Sequence, residues 1–389
     1  MVIIDAPIPR LRILEVKKKI MPNWKLVSLA AALAGTVTTP AFAAPEFDVR
    51  GRAHLDFGLV DADENNEIGS GSDLRRARLG VKGKLDDIWS FIAEYDFSGD
   101  GADAQDLNLS RNLGPGRLII GQDKVPMGLN ELTSSNNITF IERSSINNVV
   151  SPARRNGLGY HGSRGALTFQ AMAFTNNLND DNDGDEPLGL GGRVVYNPSI
   201  GDGRMLHLGV SAAYEDLGDA EQMRLRERPE ARPNNGARVI DTGTIEGVES
   251  NIRFGLESAY QAGPFSAEAE YLYIGLDRDS GSDPEFSGFH LQASYVLTGE
   301  SRSYGGGKFG SVKPSGSSGA WEVAARFSTV DLTDSGITGG EMDNVTLGLN
   351  YYLTPNLRFM ANLIRADVDD GRFGDEDISI ALFRTQYHF

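Results

Sequence analysis

Phe47-Asp-Val-Arg-Gly-Arg-Ala-His-Leu-Asp-Phe-Gly-Leu59 is apolar or small at every odd position, and almost every even position is polar. A period of two is the rhythm of a β-strand, whose successive side chains point to opposite faces. One face suits an apolar medium and the other suits water. The rhythm returns in Trp89-Phe91-Ala93-Tyr95-Phe97, which alternates with Ser90, Ile92, Glu94 and Asp96. Further on it runs through Leu206 to Tyr214, Phe289 to Leu297, Trp321 to Phe327 and Val345 to Leu353. Its last instance places Ala381, Phe383, Thr385, Tyr387 and Phe389 on one face, with Arg384, Gln386 and His388 on the other.

Strands of this kind recur from 47–60 to 378–389, among them 251–262, 343–353 and 356–367, and sixteen are expected in all. An even number is what a single-chain bacterial barrel requires when both ends are periplasmic. The connections support that phase. Asp86-Asp87, Ser163-Arg164, Gly263-Pro264 and Thr354-Pro355 are short and fall on the periplasmic side, whereas 124–156, 176–187 and 216–250 are long and fall outside. The Gly/Ser-rich segment 299–319 is the exception, being long in a periplasmic position. The expected fold is all-β: a transmembrane antiparallel barrel of about 16 strands with short periplasmic turns, long extracellular loops and one loop folded into the lumen. Trp89, Trp321, Tyr351, Tyr352, Tyr387 and Phe389, at or near strand ends, suit the aromatic girdles of such a barrel.

Composition agrees. Only 40% of the 389 residues are hydrophobic, and beyond the leader no run reaches the 18 or so apolar residues of a spanning helix. Residues 1–20 read as an upstream extension or start-site artefact. Residues 21–43 read as a secretory signal: a basic opening at Lys25, an apolar run from Leu26 to Val37 and Ala41-Phe42-Ala43 at the cleavage site. The barrel domain is then 44–389, in a Gram-negative outer membrane. The absence of cysteine fits export. The leader removes six bases and two acids, leaving 31 Lys and Arg against 52 Asp and Glu, a formal charge of −21. So acidic a chain is unsuited to nucleic acid. The local field in a pore is a separate matter.

The chain resembles the phosphate-selective outer-membrane porins, the O and P porin family. The likeness rests on Leu74-Arg-Arg-Ala-Arg-Leu-Gly80, Trp89 to Phe97, Gly121-Gln-Asp-Lys-Val-Pro-Met-Gly-Leu129 and Glu131 to Ser144. It continues in Arg228-Pro-Glu, Gln292 to Arg302, Ala320 to Arg326 and Leu347 to Pro355. The resemblance implies a homotrimer that passes small anions such as phosphate or polyphosphate by passive diffusion, with no cofactor. Outer-membrane lipid and lipopolysaccharide are the expected surroundings.

Candidate solute contacts fall in three sets. Lys124 lies in the Gly-Gln-x-Lys motif that leads into the family's constriction loop, which also carries Arg143, Arg154 and Arg155. A basic lining lowers the cost of stripping water from an anion, and arginine offers a planar fork to phosphate oxygens. The plainer alternative for Lys124 is pairing with Asp123 or Glu94. The second set is Arg224, Arg226, Arg228, Arg232 and Arg238, in the loop that matches the family's descending arginines. There Glu227 and Glu230 are departures that would neutralise part of the row, and the plainer alternative for the set is solvated loop charge. The third is Arg76 and Arg78, with Lys82, Lys84, Arg50 and Arg52, on the inner face of the first strands. Each has pairing with Asp48, Glu94 or Asp96 as its alternative, worth little beside water. Asp180 to Glu186 lacks the twelfth ligand of a calcium loop, so no metal site is expected. The sequence has no His-Glu-x-x-His, Gly-x-Ser-x-Gly or Walker loop, and no catalysis is expected. Two other functions share the same barrel: a general or cation-preferring porin, and a non-conducting structural barrel.

Overall fold

The computed structural model describes residues 46–62, 68–180, 184–201, 203–233 and 236–389. The expected leader lies outside the described residues. Sixteen strands close into one barrel in chain order. They are β1 (Glu46–Ala62), β2 (Gly71–Lys84), β3 (Trp89–Asp96), β4 (Asp103–Leu113), β5 (Gly116–Lys124), β6 (Arg154–Arg164), β7 (Leu167–Phe174) and β8 (Leu188–Tyr196). The second half comprises β9 (Arg204–Asp216), β10 (Val248–Ala262), β11 (Phe265–Arg278), β12 (Glu285–Val296), β13 (Ala320–Asp334), β14 (Ile337–Tyr352), β15 (Leu357–Gly371) and β16 (Gly374–His388). The seam is antiparallel, β1 against β16, from Arg52 with His388 to Ala62 with Ile378. Closure follows from the solvent, because an unpaired backbone group in hydrocarbon has no water to bond.

The two faces are inverted relative to a water-soluble protein. On β1, Phe47, Leu55 and Leu59 are 66%, 55% and 51% exposed, whereas Arg52, His54 and Asp56 are 7%, 0% and 3% exposed. The apolar rows face outward and the polar rows inward. Near the periplasmic end Trp321 stacks on Tyr351 with ring centroids 4.3 Å apart.

Three features depart from the sequence expectation. First, β10, β14 and β16 begin at Val248, Ile337 and Gly374, before the expected 251, 343 and 378. The extra residues are polar on the outward face, so their alternation lacks an apolar row. Second, the inner face is not polar throughout. Leu272, Ile274, Phe286, Val330, Leu332, Met342, Ile364, Ile378, Ile380 and Leu382 are buried inside the barrel with Leu225, Val239, Ile240 and Ile245 of the 217–247 loop. The described residues of that loop form an apolar core with the β9–β16 side of the wall, and the polar-lined cavity lies toward the β1–β8 side. Third, the long periplasmic segment 297–319 turns inward, pairing Arg302–Gly305 with Lys308–Val312 in a hairpin. Its length is thereby explained.

Tight wall packing leaves one testable mark. A Cβ on Gly80 would lie 2.4 Å from the Ala93 carbonyl oxygen and 2.8 Å from Glu94 Cα. Gly80→Ala therefore displaces β2 from β3, and the expected loss is about 1–3 kcal/mol, read as a lower urea midpoint for the barrel refolded in vesicles. An unchanged midpoint contradicts the packing.

Candidate functional site

Residues 125–153 run inside the barrel and carry two short helices, α1 (Leu129–Leu132) and α2 (Ser145–Val150). A backbone buried this way needs partners for its polar groups. The wall supplies them. Arg358 donates to the Ile138 and Thr139 carbonyls at 2.8 and 3.0 Å, and Asn350, Gln386 and Arg326 donate to those of Thr139, Asn136 and Glu142. Glu270 accepts the Leu129 and Asn130 N–H groups and Asn147 Nδ2. His290 bridges Glu268 Oε1 at 3.2 Å and Ser144 Oγ at 3.1 Å. The outline is that of a serine–histidine–glutamate relay, and Glu268, Glu270 and His290 are close enough to hold an ion. All are sealed, however, and their atoms are already taken by the loop. They anchor it.

Two charge hubs define the narrow part. Glu142 accepts Arg75 Nε at 2.8 Å and Arg384 Nη2 at 2.8 Å, with Arg76 Nη1 at 3.8 Å. Burial alone would raise its carboxyl; Arg75, Arg76 and Arg384 outweigh burial and hold it well below the usual range. Arg75 reaches the lumen because β2 bulges between the pairs His54–Arg76 and Leu55–Leu74, which turns two consecutive side chains inward. The second hub is Glu131, 2.7 Å from Lys124 Nζ and 3.0 Å from Arg143 Nε. Burial again acts upward, but Arg143 and then Lys124 bring this carboxyl down to about 2. Lys124 thus pairs with a loop residue and with neither Asp123 nor Glu94.

Beside these hubs a cavity of about 890 Å³ is lined by eleven lysines and arginines and four aspartates and glutamates. The local sign opposes that of the chain as a whole. Arg76, Arg78, Lys124, Arg143 and Arg154 line it, as do Arg50, Arg52, Lys82 and Lys84. Arg50 and Arg52 pair with Glu94 at 3.0 and 3.2 Å, Arg78 with Asp96 at 2.7 Å and Arg154 with Asp106 at 2.8 Å. Arg76 differs: its buried Nε and Nη1 have no hydrogen-bond partner. Arg155 leaves the group, binding Glu215 at 3.2 Å away from the cavity lining. Sequence reasoning missed Arg75, Arg117 and Lys308. The Arg75-Arg76 doublet was itself a signal, since regular alternation would send one guanidinium into lipid. Lys308 was hidden in the inward hairpin.

The 217–247 loop does not line that cavity; it forms the mouth above. Arg224 pairs with Asp241 at 2.5 Å, Arg232 reaches Asp73 at 3.5 Å and Arg228 donates to the Gly236 carbonyl at 2.6 Å. Arg226 is exposed. Burial, with Arg238 next, pushes the Arg228 guanidinium down to about 10; Arg232 and Arg75 act the same way from nearby. Arg228, Arg232 and Arg238 thus form one electropositive row whose field overlaps that of Arg75. Glu230 is not part of it. Its carboxylate is buried, accepting the Ser145 N–H at 3.0 Å and bonds from Arg326, Ser328 and Thr346. Glu227 remains in the mouth, and burial raises it to about 7 against the pull of Arg228 and Arg238. Below that pH it is neutral and above it anionic. Anion preference is therefore expected to be greater at pH 6 than at pH 8, and Glu227→Gln should flatten the profile at its acid value. Zero-current potentials at the two pH values check this; a profile unchanged by the substitution contradicts it.

An inverted barrel with a wet, basic lumen narrowed by an inward loop defines an outer-membrane diffusion channel, a porin. The chain belongs to the phosphate-selective porin O and P family, which matches residues 47–389. It is 28% identical to Porin O of Pseudomonas aeruginosa over 92% of this chain and 96% of that protein. It is 30% identical to an uncharacterised protein of Caulobacter vibrioides over 88% of this chain and 74% of that one. The anion-selective porin from Comamonas acidovorans shares the fold at a TM-score of 0.60 and 14% identity, over 89% of this chain and all of that structure.

Proposed function

We propose that this porin passes small anions, phosphate foremost, down a basic track: the mouth row from Arg226 to Arg238, then Arg75 and Arg76, then the cavity at Lys124. One observation carries the reading, the excess of bases over acids around the cavity in so acidic a protein. Partial pairing suits a channel, because bases left entirely free would trap an anion rather than release it. Lys124 is the central solute contact, and Arg76, whose buried donors have no hydrogen-bond partner, lends its charge beside it. The barrel works as a homotrimer embedded in outer-membrane lipid and lipopolysaccharide. Strands β3 to β8, of 8 to 11 residues, make a low wall beside the 12 to 16 of β9 to β16, and neighbouring subunits cover it. Cross-linking of purified protein to a three-chain band checks that assembly. Single-channel recording with phosphate titrated into chloride tests the function: phosphate should block the chloride current in a saturable way. Block that is absent, or linear in phosphate, rejects a phosphate site.

A further inference from the structure

The inward hairpin of the periplasmic segment ends in the two-residue turn Gly306-Gly307, with φ of +58° and +73° and Gly305 paired to Lys308. Two consecutive left-handed residues make the tight turn that matches strand twist. It places Lys308 in the lining of the basic cavity, which Arg117, Asp123 and His161 also line. A hairpin of this size has little stability alone, so the wall must hold its tip.

Arg193 on β8 meets it. Its Nη2 donates to the Gly307 carbonyl at 2.7 Å, and its Nε and Nη2 grip Glu257 at 2.9 and 2.6 Å. Its Nη1 donates to Gln170 Oε1 at 2.9 Å. Every arm of this guanidinium is engaged, its charge is matched by Glu257, and its side chain has no exposure. Arg193 therefore has nothing left to offer a passing solute. A second hold lies alongside. His207 Nε2 faces Glu257 at 3.1 Å, which leaves Nδ1 to accept the Tyr304 hydroxyl at 2.6 Å. Burial raises that hydroxyl to about 12, so it stays a neutral donor.

We infer that Arg193 is a positioning residue: through the Gly307 carbonyl, with Tyr304–His207–Glu257 as a second hold, it fixes Lys308 in the periplasmic exit of the pore and so sets the anion preference there. The inference rests on the anion-channel reading, and the test separates the two. The chain has no cysteine, so Lys308→Cys creates a single reactive thiol. In a planar bilayer, the negatively charged sulfonatoethyl methanethiosulfonate added from the periplasmic side should cut the single-channel current in steps. Adding Arg193→Met should speed the modification about tenfold, the factor set by losing one charge-assisted hydrogen bond, and shrink each current step. Tyr304→Phe, which removes one hydroxyl and leaves the wall intact, should act in the same direction with a smaller factor. With Lys308 retained, Arg193→Met should also lower the anion-to-cation permeability ratio. Equal modification rates in all three thiol proteins overturn the inference, as does full current after modification of Lys308→Cys. Faster modification with a cation-preferring pore would reject the anion reading and leave the brace standing.

Discussion

Replacing Arg384 with methionine is expected to cost the barrel about 3–5 kcal/mol and to widen the pore. Arg384 holds Asp56 through two bonds of 2.6 Å, Glu142 at 2.8 Å and the Ile141 carbonyl, and the Arg384 and Asp56 side chains have no exposure to water. It ties the constriction loop to the barrel seam, because Asp56 lies on β1 and Arg384 on β16. Methionine fills similar space and satisfies none of these acceptors. Glu142 keeps Arg75, whereas Asp56 has no other ion-pair partner among the described residues. A buried carboxylate stripped of its cation accounts for the size of the loss. Urea unfolding in vesicles should show the lower midpoint, and single-channel conductance should rise as the loop relaxes toward the wall. A variant with the original midpoint and conductance would contradict the anchoring.

Reversing the charge of Lys124 tests the pore itself. Lys124→Glu puts a second carboxylate where Glu131 now finds a cation 2.7 Å away, inside the basic cavity. A swing of two charges at a narrow, partly desolvated point shifts the anion-to-cation permeability ratio on the order of tenfold toward cations. Phosphate block of chloride current should weaken with it. Lys124→Gln separates the field from the scaffold. If the lysine acts through charge, glutamine gives an intermediate ratio; if it only braces the loop, glutamine changes conductance and leaves the ratio alone.

The strands were legible because lipid outside and water inside impose a period of two on the residues themselves. Phe47 to Leu59 states the rule, and each of its apolar positions faces outward as expected. The extracellular phase of 124–156 and 216–250 was equally plain, since every long connection but 299–319 falls on that side. What fills the lumen was not. Ile378, Ile380 and Leu382 are apolar and inward because the 217–247 loop packs on them, a contact no local rhythm records. The anomalous length of 299–319 was the visible sign of a second insertion, although its direction was not. At the site, the Gly-Gln-x-Lys motif led to Lys124, whereas the bulge that turns Arg75 inward beside Arg76 went unread. The partners Glu131 and Glu142 stayed hidden, because pairing inside a barrel joins residues that only closure brings together. Glu230 is the sharpest case: it reads as a charge in the mouth and proves to be a buried pin between loop and wall.

On this reading a basic track sets the selectivity of a net acidic barrel. The zero-current potential of the purified protein in a planar bilayer under a tenfold potassium chloride gradient tests it most directly. The expected sign is the one given by chloride crossing faster than potassium. A potential of the opposite sign would contradict it.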